Sequence, residues 1–323
     1  MTRSTLLACG LAIVATAQPA TPVQPTGSRL LFYDAARERL LLVGATLPAE
    51  RADLLTLWAW RAPSWSRLPE NGPAMRTTTA AAFDTGRGRL VVYGGVGNDT
   101  TDRRSDTWEW DGTAWHAMSD RGAGARDHHA MAFDEARGRT MAFGGATAPG
   151  SVRPRPLERD TWVWDGARWQ LAATSGPSPR STTMVDDTVR GQVLLFGGVG
   201  DAQRRFADTW AWNGRAWRLI TDAGPPARNG HAMAFDRAAG VVLLFGGTSG
   251  ARHFDDLWRW DGQRWSEVRV DGVKPGPRVG AGMAYDATRD RTVLYGGHVR
   301  VNGAVRDSTE MWEWDRRAWT RIR

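Results

Sequence analysis

The sequence predicts an all-β chain, a β-propeller of six four-stranded antiparallel blades set around an axis. Three observations predict it. All 18 tryptophans of the 323 residues fall in one recurring frame, three per copy. The first Trp of each copy, Trp58, Trp108, Trp162, Trp210, Trp258 and Trp312, follows the last at intervals of 50, 54, 48, 48 and 54 residues. Each copy carries the same order of short apolar runs and turn residues, with no competing helical period. A single four-stranded sheet cannot bury both of its faces, so the copies must stack, and radial closure also protects most sheet edges.

Along the chain, the elements read as follows. Arg3, the apolar stretch Leu6 to Val14 and the small-x-small triplet Ala15-Thr16-Ala17 form an export leader, residues 1–17. Leu6-Leu7-Ala8-Cys9 looks like a lipoprotein box, but so little apolar sequence precedes Cys9 that a cleaved leader is the preferred reading. Residues 18–27, with Pro19, Pro22 and Pro25, read as a linker. The propeller occupies 28–323, with blades at about 28–75, 76–125, 126–179, 180–227, 228–277 and 278–323.

Strand A of each blade ends at a turn marked by Tyr33-Asp34, Phe83-Asp84, Phe133-Asp134, Asp186-Asp187, Phe235-Asp236 and Tyr285-Asp286. Strand B is an apolar run into a glycine pair: VVYGG, MAFGG, LLFGG, LLFGG and VLYGG, with the divergent LLVGA in the first blade. Strand C carries Trp-x-Trp, whose two indoles share a face because strand side chains alternate. Asp-Gly or Asn-Gly at 111, 165, 213 and 261 predicts a tight hairpin, and the third Trp then opens strand D. Blades 2 to 6 begin with Arg76, Arg126, Arg180, Arg228 and Arg278, which are expected to pair with the acidic residue two places before each first Trp: Asp106, Asp160, Asp208, Asp256 and Glu310.

The aromatic-Gly-Gly ending of strand B, together with the spacing of the strand C and strand D tryptophans, resembles kelch repeats over about residues 28–323. The resemblance implies a propeller of about 50 residues per blade and suggests ring closure without a swapped strand. The family's Arg-x-x-His opening stands at Arg126 to His129 and Arg228 to His231. Thr79, Thr183 and Ala281 take the His place elsewhere, which makes the position structural and replaceable.

Composition narrows the function. The hydrophobic share of 41% suits a folded core. Net charge is +7, yet Lys274 is the only lysine and the arginines are spread without a basic run, so no nucleic-acid partner is expected. No segment is long and apolar enough to span a bilayer. The single cysteine excludes an intrachain disulfide framework and a multi-thiolate zinc site. The histidines show no ligand spacing, G-x-S-x-G is missing, and nothing calls for a cofactor or metal.

Residues repeated in every blade serve what all blades share, so function is expected where blades differ. The B–C segments vary most, and they surround one mouth of the central channel. Their candidate binding residues are Arg51, Arg103, Arg104, Arg153, Arg155, Arg204, Arg205, Arg252, His298 and Arg300, a set that favours anions. The leading expectation is an exported, monomeric, non-catalytic binding or scaffold propeller that recognises a glycan, peptide or protein through this face. The alternative is a sugar epimerase or mutarotase, which the resemblance to kelch sialic acid mutarotases implies. The copper-radical chemistry of galactose oxidase lacks its Tyr–Cys pair here: Tyr33, Tyr93, Tyr285 and Tyr295 all sit at repeat positions.

Overall fold

The computed structural model describes residues 24–322, except 28–29, 48–51, 70, 98, 100–101, 120–121 and 148–155. The leader and most of the linker therefore lie outside the described residues. Among those described there are six four-stranded antiparallel sheets and one three-stranded sheet. In blades 1 to 5 each four-stranded sheet is built from consecutive strands, as blade 2 illustrates with A (Ala80–Asp84), B (Arg89–Tyr93), C (Thr107–Trp110) and D (Trp115–Ser119). Blade 1 starts at Leu30–Asp34 and blade 6 ends at Trp319–Arg321.

Strand A of blade 1 packs against strand A of blade 2 and against Gly282–Asp286, strand A of blade 6, so the inner strands form a closed ring. Among the described residues no strand is exchanged to close it. Across the junction Tyr295 Oη donates to the Pro25 carbonyl at 2.6 Å and Tyr33 Oη to Thr288 Oγ1 at 2.6 Å.

Six apolar clusters fill the six gaps between neighbouring blades, and each holds the three tryptophans of one blade against the preceding one. The alternation rule holds, since Trp108 and Trp110 share a cluster. The second and third tryptophans are buried in every blade, from Trp260 at 0% exposure to Trp217 at 9%. The first is half-buried in blades 2 to 5 and fully covered only at Trp58 and Trp312. In three interfaces the third indole also donates across the gap, Trp169 to Thr107 at 2.8 Å, Trp217 to Thr161 at 2.7 Å and Trp265 to Thr209 at 2.9 Å. In the other three, Leu57, Leu257 or Met311 stands in the threonine's place, and Trp115, Trp319 and Trp65 have no hydrogen-bond partner.

The arginine that opens each of blades 2 to 6 meets its expected acid. Arg76 reaches Asp106 at 2.6 Å, Arg126 Asp160 at 2.9 Å, Arg180 Asp208 at 2.6 Å, Arg228 Asp256 at 2.6 Å and Arg278 Glu310 at 2.7 Å. The same carboxylates accept the first indole N–H, as Asp106 does from Trp108 at 2.7 Å. Arg228 is wholly buried and satisfied: it also donates to the Pro226 and Gly246 carbonyls and stacks 4.0 Å over the Phe254 ring. Such pairing is what lets a guanidinium leave water. The guanidinium pulls the carboxyls of Asp106, Asp160, Asp256 and Glu310 below their ordinary range, against the opposing effect of burial.

Strand B's glycines bring backbones into contact. Gly144 has φ 68°, and a Cβ there would lie 2.5 Å from the Arg180 carbonyl oxygen of the next blade.

Three sequence expectations need correction. The C–D hairpin is not a two-residue turn: Trp110 faces Trp115, leaving a four-residue loop in which Gly112 has φ 101° and Asp111 Oδ1 caps the amides of Thr113 and Ala114 at 2.8 Å. The Asp side chain replaces the second positive-φ residue that a tight turn requires. Second, Thr182, not Thr183, holds the His place in blade 4. Its hydroxyl donates to the Phe196 and Gly197 carbonyls just as Thr79 does to Tyr93 and Gly94. Blade 4 is one residue shorter between its Arg and its turn Asp, lacking the left-handed residue found at Thr78, His128, Gly230 and Gly280, so its strand A runs unbroken from Ser181 to Asp187. Third, the B–C segment of blade 6 is not a loop but a hairpin, His298–Val301 with Ala304–Asp307, paired to Arg278–Val279. Val-Asn-Gly-Ala was its signal, and Asn302 and Gly303 have φ 51° and 80°, as a primed turn demands.

Candidate functional site

The inner strands enclose a central channel of about 1200 Å³ walled mainly by alanine, methionine and aromatic side chains. The B–C segments surround one mouth; the A–B turns surround the other. Most predicted arginines of the B–C face turn out to be engaged with neighbouring groups. Arg103 is buried at 4% exposure and pairs with the buried Asp127 at 3.2 Å, while Asp127 also meets His128 Nδ1 at 3.2 Å. Arg104 pairs with Asp102 at 2.5 Å. Arg205 Nε donates to Asn229 Oδ1 at 2.9 Å, and Arg204 and Arg252 lie 5.1 and 5.3 Å over Phe206 and Phe254. His298 pairs with Asp307 at 2.6 Å across the blade 6 hairpin, from which Arg300 projects exposed. Burial, with Arg300 and His298 nearby, lowers the His253 pKa. Arg51, Arg153 and Arg155 lie outside the described residues.

None of the described predicted residues lines the channel. On this side the lining comes instead from His128, Asp201, Gln203 and Asn229, which a search for recurring charge passes over. Their signal was available as departures from the blade consensus: His128 stands with φ 56° where blades 5 and 6 have glycine. His231 also lines the channel, with its ring edge against Phe196 at 5.4 Å, and burial pushes its pKa down to about 3, so the imidazole is neutral. It behaves as a packing residue.

Among the described residues no group of three His, Cys, Asp or Glu side chains is placed to hold a metal, and no helix is long and apolar enough to cross a membrane. At the opposite mouth, Asp186, Glu135 and Arg237 interrupt an otherwise aromatic and apolar wall.

Residues 159–323 match the model of the KLHDC2/KLHL20/DRC7 Kelch-repeats domain. The chain belongs to the kelch-repeat family. The match spans the last three blades and the outer half of blade 3, where the Arg–acid pairs, the Gly-Gly contacts and the indole clusters have the same form as in blade 2. No curated protein matches the sequence. A kelch-repeat domain suggests a protein-binding propeller.

Proposed function

We propose that this kelch protein is an exported, non-catalytic propeller that docks a peptide segment of a protein partner on its B–C face. One observation carries the reading: the residues repeated between blades are spent inside, in indole clusters and Arg–carboxylate pairs, while the B–C segments differ most from blade to blade. There the blade 6 hairpin offers Ala304–Asp307, exposed at all four positions, as an edge strand beside the exposed Val301 and Val305. An edge strand of this kind suits main-chain pairing with an extended peptide. Arg300 and Arg306, both exposed on the hairpin, favour an acidic sequence. Because the indoles lie between blades, no Trp platform faces outward for sugar stacking, and a peptide is preferred to a glycan.

The test is a selection of displayed random peptides on the purified propeller. Acidic peptides should emerge, and Arg300→Glu with Arg306→Glu should weaken them at least tenfold, whereas Arg168→Glu on the C–D side should not. Peptides lost with Arg168→Glu instead, or stereospecific turnover of a sugar by the protein, would overturn the reading. Export is tested separately by fusing residues 1–17 to a periplasmic reporter; retention in the cytoplasm would refute it.

A further inference from the structure

Strand A ends on an aromatic in five blades, Tyr33, Phe83, Phe133, Phe235 and Tyr285, each followed by the turn aspartate. Blade 4 places Asp186 there, and all six positions line the A–B end of the channel. A carboxyl has thus replaced an aromatic ring in an apolar wall. Its Oδ2 accepts the Glu135 amide at 3.2 Å, while its Oδ1 is buried with no hydrogen-bond partner. The charged groups facing it are Asp134 and Glu135 from blade 3 and Arg237 from blade 5. Arg237 does not neutralise Asp186, because its guanidinium is bonded to Glu135, which also accepts from Thr85 at 3.3 Å. Burial, reinforced by the charges of Asp134 and Glu135 and only partly opposed by the Glu135 amide and Arg237, pushes the carboxyl up to about 7.

A buried carboxylate oxygen without a donor is costly, and a donor brought by a ligand removes the cost. Beyond Asp186 the channel is lined by Ala82, Ala132, Ala234, Met131, Met184 and Met233, which give an apolar body a surface to lie along. We propose that the A–B end of the channel binds an amphipathic organic cation, its ammonium or guanidinium head on Asp186 and its apolar body along the alanine and methionine wall. Rotation of the Asp186 carboxyl about its own side-chain bonds turns Oδ1 toward the head. The site lies at the mouth opposite the peptide face and is independent of it.

The test is calorimetric titration of the full propeller with n-hexylammonium at pH 8, with n-hexanol and hexanoate as neutral and anionic counterparts. Hexylammonium is expected to bind at least tenfold more tightly than either. Asp186→Asn should lose that tenfold preference, and Asp186→Phe, which restores the aromatic of the other blades, should abolish binding while raising Tm. Because the ionised carboxyl is the binding form, affinity should fall as pH drops below about 7 in the wild type and stay flat in Asp186→Asn. Without ligand, the raised carboxyl costs stability as pH climbs from its ordinary value toward 7, so the Tm advantage of Asp186→Asn should be small at pH 4 and largest at pH 8. Hexylammonium binding that Asp186→Asn leaves within threefold of wild type, equal binding of hexanol, or no binding at roughly 10 mM hexylammonium would overturn the proposal.

Discussion

Blade 1 and the five blades that follow bury the same three tryptophans but satisfy the first of them differently. In blades 2 to 6 the indole N–H meets a carboxylate held by a buried arginine, as Trp258 does with Asp256 at 2.7 Å. Blade 1 has neither charge. Thr56 takes the acid's place, and both its hydroxyl and the Trp58 indole donate to the Ala45 carbonyl, the indole at 2.8 Å. Trp58 is nonetheless better covered than Trp108, Trp162, Trp210 or Trp258. The indoles supply the packing, and the ion pair is one of two ways to satisfy their N–H groups and fix the start of the blade.

A second contrast runs along the turns. In blades 1 to 4, Arg37, Arg87, Arg137 and Arg190 each bond the turn aspartate of their own blade, Asp34, Asp84, Asp134 or Asp187, and cross closely over Gly112, Gly166, Gly214 or Gly262 of the next. Blade 5 has Ala239 in place of the arginine. Blade 6 has Arg316 in place of the glycine, with φ 76°, and its guanidinium reaches back to Asp236 with two bonds of 2.9 Å. The two departures compensate, which shows that the turn requires a guanidinium on the aspartate and is indifferent to which blade provides it.

The largest effect expected is from the shared packing. Trp260→Ala should destabilise by about 3–5 kcal/mol in denaturant unfolding, and a loss below about 1 kcal/mol would mean the indoles are not what joins the blades. Next, Arg228→Met should cost about 3–5 kcal/mol because it strands Asp256, whereas Arg228→Met with Asp256→Thr, the blade 1 arrangement, should recover much of that loss. The double variant should also flatten the acid limb of the stability curve. The depressed Asp256 pKa gives stability that is present above the carboxylate's ordinary value and lost as pH falls through the depressed one. A double variant as unstable as the single would show that the two solutions are not interchangeable.

Arg316→Gly should cost about 1–3 kcal/mol by leaving the buried Asp236 without a guanidinium, and adding Ala239→Arg should restore it, giving a coupling of about 1–3 kcal/mol in a double-mutant cycle. Additive losses would break the compensation argument. The smallest change compares interfaces with and without the cross-gap hydrogen bond. Thr107→Leu should cost about 1 kcal/mol by orphaning Trp169, and Leu57→Thr should gain a few tenths to about 1 kcal/mol by giving Trp115 a partner.

The framework was legible because the repeat displays it six times. Trp-x-Trp in all six blades, and the glycine pair and the Arg–acid pairing in blades 2 to 6, each gave the right contact, since a residue kept from blade to blade answers to a geometry the blades share. The candidate site was much less legible. Arg103 and Arg205 were singled out by charge and position, but charge does not tell a free guanidinium from one whose partner, Asp127 or Asn229, lies on the neighbouring blade. The blade 6 hairpin had a readable Asn302-Gly303 turn, overlooked because the other B–C segments set the expectation of a loop. Asp186 was visible as a break in the aromatic series, yet the lack of a partner for its Oδ1 depends on what Arg237 does.

Periodicity along the chain was enough to determine the blade sheets, their strand order and the burial of the second and third tryptophans, because side-chain alternation and turn chemistry act over a few residues. Only the folded ring decided that Trp169 finds Thr107, 62 residues away, and that Arg316 serves Asp236, 80 residues away. Those partners meet because adjacent blades bring the end of one turn beside the start of another, a distance in space that no spacing in the sequence specifies.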